Sequence, residues 1–352
     1  MHWDLFCRVI DNFGDIGVCW RLAADLGARG QRVRLWVDDP SALAWMAPAG
    51  APGVEVLAWS ADTPVPDPGD AVVEAFGCDP PPAFVTRMRQ CKRPPLWINL
   101  EYLSAEAFVK RSHGLRSPQL GGPGRGLDKW FFYPGFEPGT AGLIREPGLL
   151  DERRRFDGHD WLRSRGVVPQ PGERVVSLFC YASAPVGLLL QALQTVPTLL
   201  LVTPGAASQA LQAALAGRPA APSLRCTALP WLTQPDYDRL LWACDLNFVR
   251  GEDSFVRAQW AGAPLVWQIY PQHDAAHAAK LQAFLGLMLQ DTPAGLDAAL
   301  RDLYRAWNGL AEAPLVLPDA GPWQAHALRW RDRLLAQPDL SSQLLEFVGE
   351  RR

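Results

Sequence analysis

An excess of charge of either sign is missing from this chain: 34 Lys and Arg stand against 37 Asp and Glu, a formal net charge of −3. With the two signs interspersed, no basic stripe exists to displace counterions from a phosphate backbone, and no nucleic-acid partner is expected. Long apolar runs are missing too. Nothing reaches the roughly 18 residues a membrane helix needs, and Asp4 and Arg8 break up the first apolar residues. Neither a membrane span nor an export signal is predicted. The seven cysteines, Cys7, Cys19, Cys78, Cys91, Cys180, Cys226 and Cys244, are scattered, odd in number and never at CxxC spacing. That pattern fits a reduced, cytoplasmic setting and gives no zinc site. No GxSxG elbow occurs, which disfavours a serine hydrolase. His273 and His277 stand four apart beside Asp274 and ahead of Lys280, but without the glutamate of an HExxH motif they read as the start of a capped helix. Asp38 and Asp39 read as a turn after a strand rather than a metal pair.

What is present is a soluble globular composition. Its 352 residues exceed what one core organises, so two domains of roughly 150 residues are expected. Thirty Gly and 32 Pro remain below the roughly 25–30% of low-complexity chains and act as punctuation. Apolar Leu5–Ile10, the turn-rich Asp11–Gly17, a helical Val18–Ala28 and apolar Val33–Val37 form a βαβ unit. Strand candidates follow at Val54–Trp59, Ala71–Ala75, Leu96–Leu100 and Lys129–Tyr133. The glycines from Gly121 to Gly126 suggest a mobile loop at a cleft edge or a linker. After the polar Asp151–Arg165, a second βα series runs through strands Val175–Tyr181, Thr198–Val202, Leu224–Ala228, Leu246–Val249 and Leu265–Ile269, and the chain then stays helical to Arg352. The expected class is α/β, two Rossmann-like doubly wound domains facing a central cleft. Their expected extents are 1–160 and 161–330, followed by a helical segment 331–352 that packs back on the first domain.

Two loci stand where such domains place chemistry. The loop Asp11-Asn12-Phe13-Gly14-Asp15-Ile16-Gly17 keeps only two glycines of a GxGxxG spacing, and its carboxylates would repel a diphosphate. It suits a cation or a proton. A helix dipole and nearby amides would favour the ionised form of Asp15, as a standing base or a guanidinium anchor; the plainer reading makes Asp15 a helix cap. The second locus, Arg250-Gly251-Glu252-Asp253-Ser254, lies between a strand and a helix start, where an Arg, a hydroxyl and free amides make a diphosphate site. A capped helix with Arg250 in a surface ion pair is the alternative. Phe179, Tyr181, Trp231, Tyr237 and Tyr270 cluster at strand ends around Gln234, able to stack a base or deoxysugar, or to serve as core packing.

The segments "VIDNFGDIGVCWRLAADL" and "FVRGEDSFVRAQWAGAPLVWQIYPQHDAAHAAKLQAF", with "INLEYLSAEAF", "FFYPGF" and "SLFCYA" between them, resemble the bacterial arginine rhamnosyltransferases that modify translation elongation factor P, the EarP family. The resemblance spans most of the chain. It implies a GT-B enzyme with an acceptor-side N-terminal domain and a nucleotide-sugar-binding C-terminal domain. It also implies inverting transfer of L-rhamnose from dTDP-β-L-rhamnose to an arginine of elongation factor P, without a metal or other cofactor. Asp11 and Asp15 then match the essential acidic loop positions, Asp15 as general base, and Glu252 an acidic functional position. Arg250, Glu252, Asp253 and Ser254 match the donor-binding motif, and Phe179, Tyr181, Trp231, Gln234, Tyr237 and Tyr270 fall on or near the nucleotide pocket. Trp231 and Tyr237 stand where other members often carry Phe. A GT-B enzyme with a small-molecule or lipid-linked acceptor, a sugar-nucleotide epimerase or a non-catalytic nucleotide-sugar binding module would share the Arg250–Ser254 locus; the acidic loop argues against the first two.

Overall fold

The computed structural model describes every residue except 12, 61, 62, 64, 218–220, 272–275 and 352. The chain divides into two compact units, 1–147 with 334–352, and 148–333. In the first, β1 (His2–Cys7), β2 (Arg32–Val37), β3 (Val54–Ala58), β4 (Ala71–Ala75), β5 (Leu96–Leu100), β6 (Arg116–Pro118) and β7 (Asp128–Phe132) form one sheet in the order β3-β2-β1-β4-β5-β7-β6. All neighbours are parallel except β6, which pairs antiparallel with β7. Alternation along the strands sends Leu5, Leu35 and Val73 into one core with the helix Gly14–Ala28. It sends Phe6, Trp36, Val72 and Trp97 into another, with Phe84, Val85 and Met88 of the helix Pro82–Gln90. A sheet covered on both faces needs apolar residues on both sides of its strands, and β1, β2 and β4 carry them there, with Asp4 of β1 and Arg34 of β2 paired to each other at 2.7 Å.

The second unit has β8 (Arg174–Leu178), β9 (Thr198–Val202), β10 (Leu224–Ala228), β11 (Leu246–Arg250) and β12 (Leu265–Gln268), all parallel, in the order β10-β9-β8-β11-β12. Each sheet therefore reverses its order beside its first strand, at β1/β4 and at β8/β11. At such switch points the loops beyond the carboxyl ends of the strands part and leave room for a ligand. Among the described residues no helix is long and apolar enough to cross a membrane.

Local chemistry moves several expected boundaries. The first strand ends at Cys7 rather than Ile10, because the Val9 amide bonds Asp38 and those of Ile10 and Asp11 bond Asp15 instead of a neighbouring strand. Gly121–Gly126 lies in the connection between the antiparallel β6 and β7, closed by Gln119 N–H to Leu127 O at 2.9 Å, and is no linker. The first unit ends at 147 rather than 160. The helices Leu149–Arg155 and Gly158–Ser164 belong to the second unit, where Phe156 packs edge-on against Trp242 at 5.3 Å and Glu152 pairs with Arg239 at 3.0 Å.

The chain returns to its first unit through the helix Leu340–Glu350, whose Leu344 and Val348 are fully buried. Asp339 caps this helix by accepting the Ser342 amide at 2.9 Å, and the same carboxylate receives Arg29 at 2.9 Å. Asp339→Ala removes a cap and half of a partly buried ion pair, an expected loss of about 1–2 kcal/mol. A urea midpoint identical to that of the parent chain would rule this out.

Candidate functional site

Asp15 is the second residue of the helix Gly14–Ala28 and only 3% exposed. Its Oδ2 accepts the Ile10 and Asp11 amides, both at 2.8 Å, so the carboxylate reaches back over the loop. It is not a helix cap: the N-cap position is Phe13, which makes no side-chain cap bond. Oδ1 receives the Tyr102 hydroxyl at 3.4 Å. The expectation that its surroundings favour the ionised form is corrected here. Burial is the largest influence and raises the Asp15 pKa; the nearby Asp11 adds to the rise, and the two amides and Tyr102 offset only part of it. Gly14 packs close to Asp11: a Cβ there would lie 2.8 Å from Asp11 Oδ2 and oblige that carboxylate to shift.

Two further residues of this site carry no chemistry that the sequence alone singles out, although Tyr102 lies within the segment "INLEYLSAEAF". Phe76 follows β4 in the left-handed region, φ 58°, and its ring stacks on Tyr102 with centroids 4.2 Å apart and planes within 11°. Tyr102 follows β5 by two residues. Phe76 stands at the carboxyl end of β4, which pairs with β1, and Tyr102 beyond that of β5, which pairs with β4; these positions are legible in the strand pattern, but nothing local announces their pairing with each other or with Asp15.

In the second unit Arg250 is the last residue of β11 and 8% exposed, which excludes the expected alternative of a surface ion pair. Its guanidinium carbon lies 4.7 Å from the centroid of Phe179 and 4.4 Å from that of Tyr181, the two rings that follow β8 across the switch point. Phe179 in turn meets Tyr237 edge-on at 5.7 Å, and Tyr181 meets Tyr270 at 5.5 Å. The Ser254 hydroxyl donates to the Arg250 carbonyl, and Gln234 Nε2 donates to Asp253 Oδ2 at 3.2 Å. Burial pushes the Tyr237 phenol well above its usual pKa. Trp231 and Tyr270 are 47% and 46% exposed, so the core-packing reading fails for both; Trp231 rests beside Gly205.

The loop at Arg250 is held from behind. Gly251 turns in the left-handed region, φ 64°, and its carbonyl accepts the Trp267 indole N–H at 2.8 Å. Trp267 stacks on Phe255 at 4.0 Å. Glu252 occupies the N-cap position of the helix Asp253–Ala261 without a side-chain cap bond, so the alternative of an ordinary side-chain-capped helix also fails. Arg257 on that helix grips Asp238 with two bonds, 3.0 and 2.7 Å, joining it to the helix Gln234–Ala243. This buried pair sets Gln234 against Asp253, and the sequence carried no sign of it. Gln268 Oε1 likewise accepts the Tyr181 amide at 2.7 Å. The structure thus brings Phe179, Tyr181, Gln234, Tyr237, Arg250, Asp253, Ser254 and Tyr270 into one linked set, and places Asp11 and Asp15 in the other unit. His273 and Asp274 lie outside the described residues; His277 and Lys280 stand on the helix Ala276–Met288.

Comparison with known proteins agrees along the whole chain. The model of the family described as Elongation-Factor P (EF-P) rhamnosyltransferase EarP matches residues 3–349. The chain is 46% identical over 375 residues to a protein-arginine rhamnosyltransferase of Pseudomonas aeruginosa, covering 99% of each. It is 44% identical to one of Pseudomonas putida, covering 98% of each. In three dimensions it is similar, with a TM-score of 0.69 and 34% identity over 99% of both chains, to a structure described as the structural basis for EarP-mediated arginine glycosylation of translation elongation factor EF-P. The Streptomyces glycosyltransferase SsfS6, at TM-score 0.52, 11% identity and 99% of both chains, shares the fold alone. With two parallel-sheet Rossmann-like units of the GT-B glycosyltransferase class, this chain belongs to the EarP family of protein-arginine rhamnosyltransferases.

Proposed function

We propose that this rhamnosyltransferase moves L-rhamnose from dTDP-β-L-rhamnose to an arginine guanidinium of translation elongation factor P, inverting the anomeric carbon in a single displacement. The observation that carries this reading is the state of Asp15: a buried carboxylate with one oxygen tied to two backbone amides, the other beside Tyr102, and its basicity raised by burial. An arginine is a cation at neutral pH whose nitrogen lone pairs are delocalised, so it attacks carbon only when held and relieved of a proton. In the reaction a guanidinium nitrogen forms the bond to the anomeric carbon, the bond from that carbon to the diphosphate oxygen breaks with its electron pair leaving on dTDP, and the nitrogen's proton passes to Asp15. Asp11, in the same loop, adds negative charge that steers and orients the guanidinium, and Glu252 is an acidic residue of the donor motif in the second unit.

The departing charge falls to the second unit. Arg250 and the amino end of the helix Asp253–Ala261 neutralise the diphosphate, in the role a metal plays elsewhere, and Ser254 and Asp253 complete the donor motif. Phe179, Tyr181, Tyr237, Tyr270 and Trp231 supply faces for the base and deoxysugar, and Gln234 an amide for a polar edge. On this reading the enzyme works in the cytoplasm on a protein acceptor, with no metal, nucleic acid or membrane involved.

The test incubates the purified enzyme with dTDP-β-L-rhamnose and unmodified elongation factor P and reads the acceptor's intact mass. The expected result is the gain of one deoxyhexose on a single arginine. No gain, with dTDP still bound by the enzyme, would overturn the acceptor assignment and favour a small-molecule acceptor.

A further inference from the structure

We infer that Tyr102 is a positioning residue for the reaction: its hydroxyl, held by the stack on Phe76, orients Asp15 Oδ1 as the oxygen that receives the proton. The inference rests on the reading of Asp15 as the base and goes beyond it by naming the oxygen and its support. Asp15 Oδ2 is occupied by the Ile10 and Asp11 amides, both at 2.8 Å, which leaves Oδ1 as the oxygen for the substrate. The only side-chain hydroxyl bonded to Oδ1 among the described residues is that of Tyr102, at 3.4 Å. At 3.4 Å this is a long, weak hydrogen bond, and Oδ1 keeps a second lone pair for the substrate. Tyr102 is 38% exposed, so part of its side chain meets solvent while the carboxylate it contacts is buried.

The support beneath that ring is costly for a non-glycine residue. Phe76 holds φ 58°, a conformation that disfavours a side chain. It is fixed by its amide bonding the Leu100 carbonyl at 2.7 Å, which ties the end of β4 to the end of β5. The backbone just before Tyr102 is fixed as well: Glu101 N–H bonds Phe132 O at 2.9 Å, and the Glu101 carboxylate takes Asn99 Nδ2 at 2.7 Å. Phe76 and Tyr102 then lie face to face at 4.2 Å, so the phenol is aimed by two strand ends rather than by a free loop.

The titratable groups acting on Asp15 among the described residues are Asp11 from its loop, Cys19 from its helix and Tyr102 from the segment after β5. Asp11 donates its backbone amide to Oδ2, while its carboxylate adds only negative charge beside Asp15. Tyr102 is the one of the three whose removal raises the Asp15 pKa.

The decisive experiment measures single-turnover rates against pH for the parent enzyme, Tyr102→Phe and Asp15→Asn, with the acceptor KM and dTDP affinity taken in parallel. Tyr102→Phe keeps the ring and its stack, so its unfolding midpoint serves as the control for folding. The expected result is a roughly tenfold fall in kcat, an acceptor KM within about twofold of the parent, unchanged dTDP affinity and an acid limb displaced upward. A Tyr102→Phe enzyme with the parent's kcat and acid limb, while Asp15→Asn is inactive, overturns the role of Tyr102 and leaves Asp15 as the base. A Tyr102→Phe defect confined to KM also overturns it. If Asp15→Asn itself keeps its turnover, the base assignment fails and the inference with it.

Discussion

Asp15→Asn is expected to lose turnover by about 10³-fold while binding dTDP as the parent enzyme does. The amide preserves shape: its oxygen can take the place of Oδ2 and accept the Ile10 and Asp11 amides, so the loop and the helix Gly14–Ala28 keep their geometry. What disappears is the proton acceptor, and with it the means of drawing a nucleophile from an arginine. A pH signature accompanies the loss. Burial raises the Asp15 pKa, so its acid form persists to higher pH than the usual aspartate value of about 4. In the parent enzyme kcat/KM should therefore fall as pH drops through that raised value, and this acid limb should be absent from whatever residual rate Asp15→Asn retains. Calorimetry with dTDP and a timed mass assay of the acceptor decide the matter together. Retained turnover, or turnover lost along with dTDP affinity, would remove Asp15 from the role of base.

Arg250→Ala is expected to weaken dTDP binding about 10²-fold, the worth of charge-assisted bonds to a diphosphate in a partly desolvated site. Arg250 lies beneath the surface, over the faces of Phe179 and Tyr181, so its cation is already stripped of much of its water. A diphosphate would gain more from it than from an exposed arginine. The fold should survive, because Phe179 and Tyr181 keep their edge contacts to Tyr237 and Tyr270. Arg250→Lys should restore only part of the affinity, since an ammonium has neither the planar fork nor the ring stacking of a guanidinium. Equal dTDP affinities for the parent and Arg250→Ala would refute the assignment.

The twofold βα alternation was legible from the strands alone, because a parallel sheet covered on both faces demands short, almost wholly apolar segments such as Ala71–Val72–Val73 and Leu199–Leu200–Leu201. The polar Arg116–Pro118 carries no such signal; it is an edge strand, defined by its partner β7 and not by its own composition. The helices of 149–164 read only as a polar stretch, since the few apolar contacts that assign them to the second unit, such as Phe156 on Trp242, depend on residues some 86 positions apart.

The class of the chain, its two βα series and the placing of Asp11, Asp15 and Arg250–Ser254 just beyond strand ends are written in the order of the residues. Those properties follow from periodicity and from turn chemistry, which act over a few neighbouring residues. Packing between distant segments is what makes Asp15 reach back to the loop instead of capping its helix, raises rather than lowers its pKa through burial, and stands Tyr102, stacked on Phe76, against it. It alone placed Arg250 over Phe179 and Tyr181 and locked Arg257 to Asp238. Burial, ring stacking and ion pairing are set by which groups meet across strands distant in sequence, and that meeting is fixed by the strand order on either side of β1 and β8.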